Sequence, residues 1–403
     1  MGDLSSAVTF SPSWRKPSPC ARPAPGKSAG NVARVSTASA PAAPAGSDSE
    51  PTVLARTGDG VGHLTLNRPR AINALDAPMI GLLADALDAW ERDTEVSVVL
   101  LDGAGERGLC AGGDVRGLRD QILAGRVDLT ADFFRAEYAL NARIAEYPKP
   151  IVALADGVTM GGGIGLAGHA AVRIVTERSR LAMPETRIGF TPDVGGSWLL
   201  ARAPGRLGEY LALTGATMDA ADAIYAGFAD ALVPSERIGD LVEALRTRAD
   251  PATPAELVLL FDETPAPAGL AAARVWIDDA FAADTVEEIV GRLRARSEPE
   301  ASTAADTLDE LSPTALAVTL AAVRSARALP DLRAALAQEY GLVLWFAQTQ
   351  PDLPEGIRAQ VVDKDRTPAW RPATREALRV AQGEGGDIGA DALAFVPPTP
   401  LWG

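Results

Sequence analysis

Two carboxylates, Glu185 and Asp193, stand eight residues apart in the stretch MPETRIGFTPDVGG, residues 183–196. Prolines and glycines bound both, which places them in loops or at helix starts rather than inside long elements. Carboxyl groups there can transfer protons to and from a bound ligand. Just upstream an apolar run, 151–155, ends in a turn and three glycines, Gly161, Gly162 and Gly163. Glycine lets a ligand approach backbone N–H groups closely, and the start of a helix favours negative charge. A buried strand, a glycine turn opening a short helix and two loop carboxylates make a candidate active site.

Other reactive residues are scarce. The histidines are His63 and His169 and the cysteines Cys20 and Cys110. A His-based nucleophilic triad would have to use one of the two histidines. His169 is expected as a packing or surface residue, and Cys110 as a small packing residue rather than a nucleophile. Four such residues, one of them in a tail, leave little for a zinc site, and no metal is expected. Gly163-Ile164-Gly165-Leu166-Ala167-Gly168 matches the dinucleotide pattern G-x-G-x-x-G. A Rossmann unit, however, needs a crossover helix of about a dozen residues before its second strand. Only a few residues separate Gly168 from the next apolar run at 172–175.

The elements around these loops alternate. Residues 61–66, 96–101, 151–155 and 172–175 read as strands, and residues 77–91 and 133–144 have helical apolar spacing. That order indicates an α/β fold with largely parallel pairing. Further helices are expected at 207–213, 220–225, 314–328 and 332–346, with a short strand or loop at 229–234 and a Pro- and Ala-rich, linker-like excursion at 250–270. The organisation expected is a disordered extension over 1–50, an α/β core over 51–250, a helical region over 251–375 and a loose Gly- and Pro-rich tail over 376–403.

Composition narrows the function. With 47% hydrophobic residues the chain can bury a sizeable core. Its net charge of −15 argues against nucleic-acid binding, which needs a basic face. No apolar run reaches membrane-spanning length, so no membrane association is expected. Two cysteines, one in the tail, make a structural disulfide improbable and suit a reducing compartment. The chain is therefore expected in the cytoplasm. Residues 1–50, poor in acids and carrying Arg15, Lys16, Arg22, Lys27 and Arg34, leave a mitochondrial transit peptide as the alternative to a flexible extension.

AINAL (71–75), LCAGGDVR (109–116), GVTMGGGIGL (157–166) and MPETRIGFTPDVGG (183–196) resemble the crotonase, or enoyl-CoA hydratase/isomerase, superfamily. More narrowly the chain is similar to its 3-hydroxyisobutyryl-CoA hydrolases through FFRAEYALN (133–141), FAADTVEEI (281–289), LSPTAL (311–316) and EGIRAQVVDKDRTPAW (355–370). The resemblance spans about 53–375. It implies a crotonase-like ββα spiral core with a C-terminal helical region, and an acyl-CoA substrate whose thioester oxygen sits between two backbone N–H groups, those of Ala111 and Gly162. Such donors stabilise developing charge.

Hydratases of this family use two glutamates. The first would fall at Gly165, which cannot transfer a proton, and the second at Glu185. The hydrolase pattern keeps Glu185 and adds Asp193. It implies that Glu185 activates water or attacks the thioester to form an anhydride. Asp193 would orient water or the substrate hydroxyl, or relay a proton, and Glu137 would bind substrate. Arg68, Arg70 and Arg116 are candidates for the CoA phosphates. No metal or redox cofactor is implied, since CoA is part of the substrate, and a homo-oligomer is allowed, relatives often being trimers or dimers of trimers. The expected reaction is hydrolysis of a short branched 3-hydroxyacyl-CoA. The alternatives are another hydratase or isomerase reaction, or a non-catalytic acyl-CoA-binding protein. Two departures stand out. Animal hydrolases read GLFPDVGG where this chain has Gly189-Phe190-Thr191-Pro192-Asp193, and an Arg is usual in them where Gly341 follows Glu339-Tyr340.

Overall fold

Strand β3, Val98–Gly103, is apolar on both faces because both faces are covered. Val99 and Leu101 join one buried cluster and Val98 and Leu100 another. A central parallel strand reads as such a continuous run. The computed structural model describes residues 50–247, 254–382, 388–393 and 401–402. The proposed extension over 1–50 therefore falls, but for Glu50, outside the described residues.

The main sheet runs β1 (Val53–Gly58), β2 (Val61–Leu66), β3, β4 (Ile151–Ala155), β6 (Val172–Val175) and β8 (Ala231–Leu232). Only the β1–β2 pair is antiparallel. Asp59 and Gly60, both with positive φ, make its two-residue turn, the backbone of a type I′ hairpin. Strands β5 (Val158–Met160) and β7 (Arg180–Ala182) pair parallel in a second, two-stranded sheet. The chain thus repeats strand, strand, helix. β4 and β5 lead to the helix Gly162–Ala167, while β6 and β7 lead, through the Glu185–Ile188 turn, to the helix Gly196–Arg202. This is the ββα spiral expected, and it delivers the glycine turn and the carboxylate loop to the same place.

One face of the main sheet is covered by Ala77–Glu91 and Val127–Glu146. In the first, Asp76 caps the Met79 N–H at 3.0 Å, and Met79, Ile80, Leu83, Leu87 and Trp90 turn inward. Each large apolar side chain so buried contributes about 1.5 to 3 kcal/mol. The other face takes Leu241, Leu245 and Val258. Val258 ends the helix Pro254–Val258, so the described start of the linker-like excursion is part of the core.

The helices Pro313–Ala326 and Leu332–Thr349 pack on the core helices Gly196–Arg202, Leu207–Thr214 and Val127–Glu146. Leu332–Thr349 is buried almost all round, as a helix enclosed by others must be. The segment over 376–403 departs from the loose tail expected. Its described residues include most of the helix Arg375–Gln382 and the helix Ile388–Leu393, with Ala377, Val380, Ile388 and Ala392 buried. Glycine is the physical reason. A Cβ on Gly341 would collide with the Gly389 carbonyl, so the two helices touch backbone to backbone. Composition made Gly389 look like a loop residue. It is a contact residue, packed against the helix that carries Gly341.

Candidate active site

The glycine turn is shaped to carry two carboxylates. Gly161 has φ 47° and ψ −118° before the helix Gly162–Ala167, a backbone that side chains with a Cβ avoid. A Cβ on Gly161 would lie 2.9 Å from Glu185 Oε1, and one on Gly162 would lie 2.8 Å from Glu137 Oε1. Both acids therefore lie directly over the turn. Glu185 opens the 3-10 turn Glu185–Ile188, and Glu137 projects from Val127–Glu146. Asp193 completes the group and accepts the Tyr138 hydroxyl at 3.1 Å. Ala111, Gly113, Glu137, Gly162, Glu185 and Asp193 line one cleft of about 270 Å³, with Phe133, Phe134 and Phe190 supplying apolar wall.

Three carboxyls in so small a volume cannot all ionise cheaply. They are 2 to 7% exposed. Burial, and then the charge of Asp193, hold Glu137 and Glu185 well above the usual carboxylate range. Burial also lifts Asp193, to about 7, against the hydrogen bond from Tyr138. Loss of hydration disfavours the charged form, and a neighbouring negative charge adds to it. Burial and mutual repulsion therefore bias all three carboxyls toward the protonated form.

The oxyanion donors need one correction. The Ala111 N–H is not free, because it donates to Ile72 O at 2.9 Å. Ile72 and Asn73 both have left-handed φ, and the Asn73 amide donates to Ala104, Gly108 and Leu109 carbonyls, clamping the second glycine loop. Along that loop Leu75 donates to Gly112 O and accepts from Asp114 N–H. In such a parallel bridge the intervening residue points its own N–H away from its partner, and Gly113 does so. Among the described residues neither Gly113 N–H nor Gly162 N–H meets an acceptor. A Cβ on Gly162 would lie 3.3 Å from Gly113 N. The two unengaged backbone donors that lie side by side are those of Gly113 and Gly162. The turn that consumes the Ala111 N–H has no signature in the sequence.

The arginines divide. Arg68 is engaged with Asp76 at 3.1 Å, Asp114 at 3.3 Å and Ala74 O at 2.6 Å, so it braces the loop rather than standing ready for a phosphate. Arg70 is exposed. Arg116 donates to Val361 O, and Val361 lines the cleft. Arg187, two residues from Glu185, also lines the cleft and donates to Thr214 O at 2.8 Å. It was missed in the sequence because nothing there distinguishes a lining arginine from an exposed one. Cys110 is buried and its thiol is pushed up to about 12 by burial, an inert packing residue. His169 bonds Val194 O, and His63 pairs with Asp102 on β3, away from the cleft.

A profile of the enoyl-CoA hydratase/isomerase family matches residues 61–384. The chain belongs to that family. Within it, the chain is 40% identical over 321 residues to the mitochondrial 3-hydroxyisobutyryl-CoA hydrolase of Danio rerio, covering 78% of this chain and 83% of the relative. It is 38% identical to 3-hydroxyisobutyryl-CoA hydrolase 1 of Arabidopsis thaliana, covering 82% and 90%. Among solved structures it is similar to a carnitinyl-CoA dehydratase from Mycobacterium thermoresistibile, with 45% identity, TM-score 0.79 and coverage of 88% of this chain and 100% of that one. An enoyl-CoA hydratase from Rhodobacter sphaeroides 2.4.1 gives 44%, 0.78, 87% and 99%. Gly165, where the motif resemblance would put the first hydratase glutamate, has no free space beside it. A Cβ there would lie 2.7 Å from Val194 Cβ and 2.8 Å from Asn141 Nδ2.

Proposed function

We propose that this family member hydrolyses the thioester of a short branched 3-hydroxyacyl-CoA, with 3-hydroxyisobutyryl-CoA as leading substrate, to the free hydroxy acid and CoA. One observation carries the reading. Glu185 stands over the glycine turn and Asp193 lines the same cleft, while Gly165 offers neither a second glutamate nor room for one. The curated relatives named as 3-hydroxyisobutyryl-CoA hydrolases support the substrate.

In this mechanism the thioester oxygen lies between the Gly113 and Gly162 N–H groups, which stabilise the charge it gains. Glu185 either takes a proton from attacking water or attacks the carbonyl itself, giving an anhydride that water opens. The C–S bond breaks, and the leaving thiolate takes up a proton. Asp193, held at about 7 by burial and the Tyr138 hydrogen bond, is the member of the cluster suited to relay it. Glu137 is the substrate-binding acid, and the alternative role for Asp193 is to orient the water or the substrate hydroxyl. Arg116 and Arg187, at the cleft, together with the exposed Arg70, are the cations to test against the CoA phosphates.

Thiol release from (S)-3-hydroxyisobutyryl-CoA, 3-hydroxypropionyl-CoA and crotonyl-CoA tests the reading. Release from the hydroxylated substrates, lost in Glu185→Gln, supports it. Hydration of crotonyl-CoA without thiol release would instead favour a hydratase reaction. Turnover of no acyl-CoA would leave an acyl-CoA-binding protein.

Among the described residues no helix is long and apolar enough to cross a membrane. The compartment we favour is the cytoplasm, with mitochondria as the alternative that the vertebrate relatives' names suggest. Import of a fusion carrying residues 1–50 decides between them. A homo-oligomer is part of the same reading, and sedimentation of the purified chain tests it.

A further inference from the structure

Asp193 sits on a loop whose backbone would not hold itself. Val194 has φ 54° and Gly195 φ 78°. Left-handed backbone is unfavourable for a β-branched residue such as Val194 and persists only where surroundings enforce it. The enforcing contacts come from two places. His169 Nε2 lies 2.8 Å from Val194 O. Burial lowers this imidazole to about 4, so it is neutral and the ring nitrogen facing the carbonyl is the protonated one. The larger contribution is Glu339, on the C-terminal helix Leu332–Thr349. Its Oε2 accepts the Gly195 N–H at 2.6 Å, and its Oε1 accepts the Ser197 N–H at 2.8 Å and the Ser197 hydroxyl at 2.5 Å.

Glu339 is fully buried and does not line the cleft. Its neighbour Tyr340 packs edge-on to Tyr138, ring centroids 6.3 Å apart, and Tyr138 donates to Asp193. One helical turn therefore braces both the loop that carries Asp193 and the tyrosine that holds its carboxylate.

We propose that Glu339 is a positioning residue for Asp193, fixing the Asp193-Val194-Gly195 backbone so that the Asp193 carboxylate stays in the cleft and on the Tyr138 hydroxyl. The proposal rests on the hydrolase reading for its kinetic consequence but not for its geometric one. The bland competitor is that Glu339 merely caps the helix Gly196–Arg202 and matters for stability alone.

Glu339→Gln is the discriminating variant. Both carboxylate oxygens accept N–H donors, so an amide must turn its NH₂ toward one of them. A crystal structure of the variant tests placement without reference to any reaction. The expected result is a Tyr138 hydroxyl and Asp193 carboxylate separated beyond hydrogen-bond reach; an unmoved Asp193 overturns the proposal. In thiol-release assays we expect kcat to fall by about 10²-fold, the scale of a displaced catalytic group, with KM little changed. The loss should not multiply with that of Asp193→Asn in the double variant, because both act through one group. Multiplicative losses, or a lowered Tm with unchanged kcat, overturn it. If Glu339→Gln does not fold, Ser197→Ala removes one of the three bonds and should show a several-fold fall in kcat, equally absent on an Asp193→Asn background; an unchanged kcat overturns the proposal. A wild-type chain that releases no thiol would count against the hydrolase reading alone, leaving the crystallographic arm to decide the role of Glu339.

Discussion

The Tyr138 hydroxyl donates to Asp193 Oδ2 at 3.1 Å across the gap between the helix Val127–Glu146 and the carboxylate loop. A donor to the charged form lowers a carboxyl pKa, and here it partly offsets the burial that lifts Asp193 to about 7. Tyr138→Phe removes that donor, so Asp193 should titrate higher. If ionised Asp193 relays the proton, the acid limb of the kcat/KM profile moves to higher pH in Tyr138→Phe. A limb that stays in place would assign it to another member of the cluster, whose steps belong to the group as a whole.

The same carboxyl makes stability depend on pH. Its folded value is about 7 against an ordinary 3.8. Between those values the folded chain holds a proton that the unfolded chain has lost, so stability falls as pH rises from about 4 to about 7, and the cost persists above that. Asp193→Asn should flatten Tm against pH in this window and raise Tm at pH 8 while activity falls, the usual exchange at a strained site. Thermal melts between pH 5 and pH 8 check it. An unchanged slope would mean that Asp193 does not titrate there.

Restoring the missing glutamate should not restore a hydratase. The Cβ of Gly165→Glu would meet Val194 and Asn141 within 2.8 Å. Forcing atoms into a filled core costs about 1 to 3 kcal/mol. Gly165→Glu is therefore expected to lower Tm and to leave crotonyl-CoA unhydrated. Recovery of hydration at normal stability would show that the space opens more readily than the geometry allows.

Much of this was legible beforehand, for identifiable reasons. The helix 77–91 and the strands 151–155 and 172–175 fall where periodicity put them, because their buried faces carry the pattern. Glu185, Asp193, Glu137 and Gly162 meet at one cleft, as the motifs implied. The failures share a cause. Which N–H a glycine loop presents depends on a partner about forty residues away, Ile72, in a left-handed turn built without glycine. The brace from Glu339 spans 144 residues. Neither relationship leaves a local trace, and the packed tail was hidden because glycine serves close helix contact as well as loops.

The paired donors can be tested through the glycine that holds one of them. Gly162→Ala would place a methyl 2.8 Å from Glu137 Oε1 and push the turn or the acid aside. Losing one oxyanion donor costs about 10² to 10³ in kcat. That loss is expected here, with affinity for CoA measured by calorimetry nearly unchanged, since the turn holds the thioester oxygen rather than the nucleotide. A variant with kcat within threefold of wild type would remove Gly162 from the oxyanion pair.

Gly341 stands where an arginine is usual in the animal hydrolases, and its neighbour explains the difference. Gly341 and Gly389 bring the helices Leu332–Thr349 and Ile388–Leu393 into backbone contact: a Cβ on Gly341 would strike the Gly389 backbone, and one on Gly389 the Gln338 backbone. Gly341→Ala should therefore separate the two helices, at a cost of about 1 to 3 kcal/mol from overpacking. Because Glu339 and Tyr340 precede Gly341 on the same turn, the variant also reports on the site. If the helix merely sheds its partner, Tm falls and kcat holds. If the helix shifts as a whole, Glu339 moves off Gly195 and kcat falls with it. Amide exchange at 388–393 alongside thiol release separates the two, and unchanged exchange with unchanged Tm would show that the glycine contact contributes nothing.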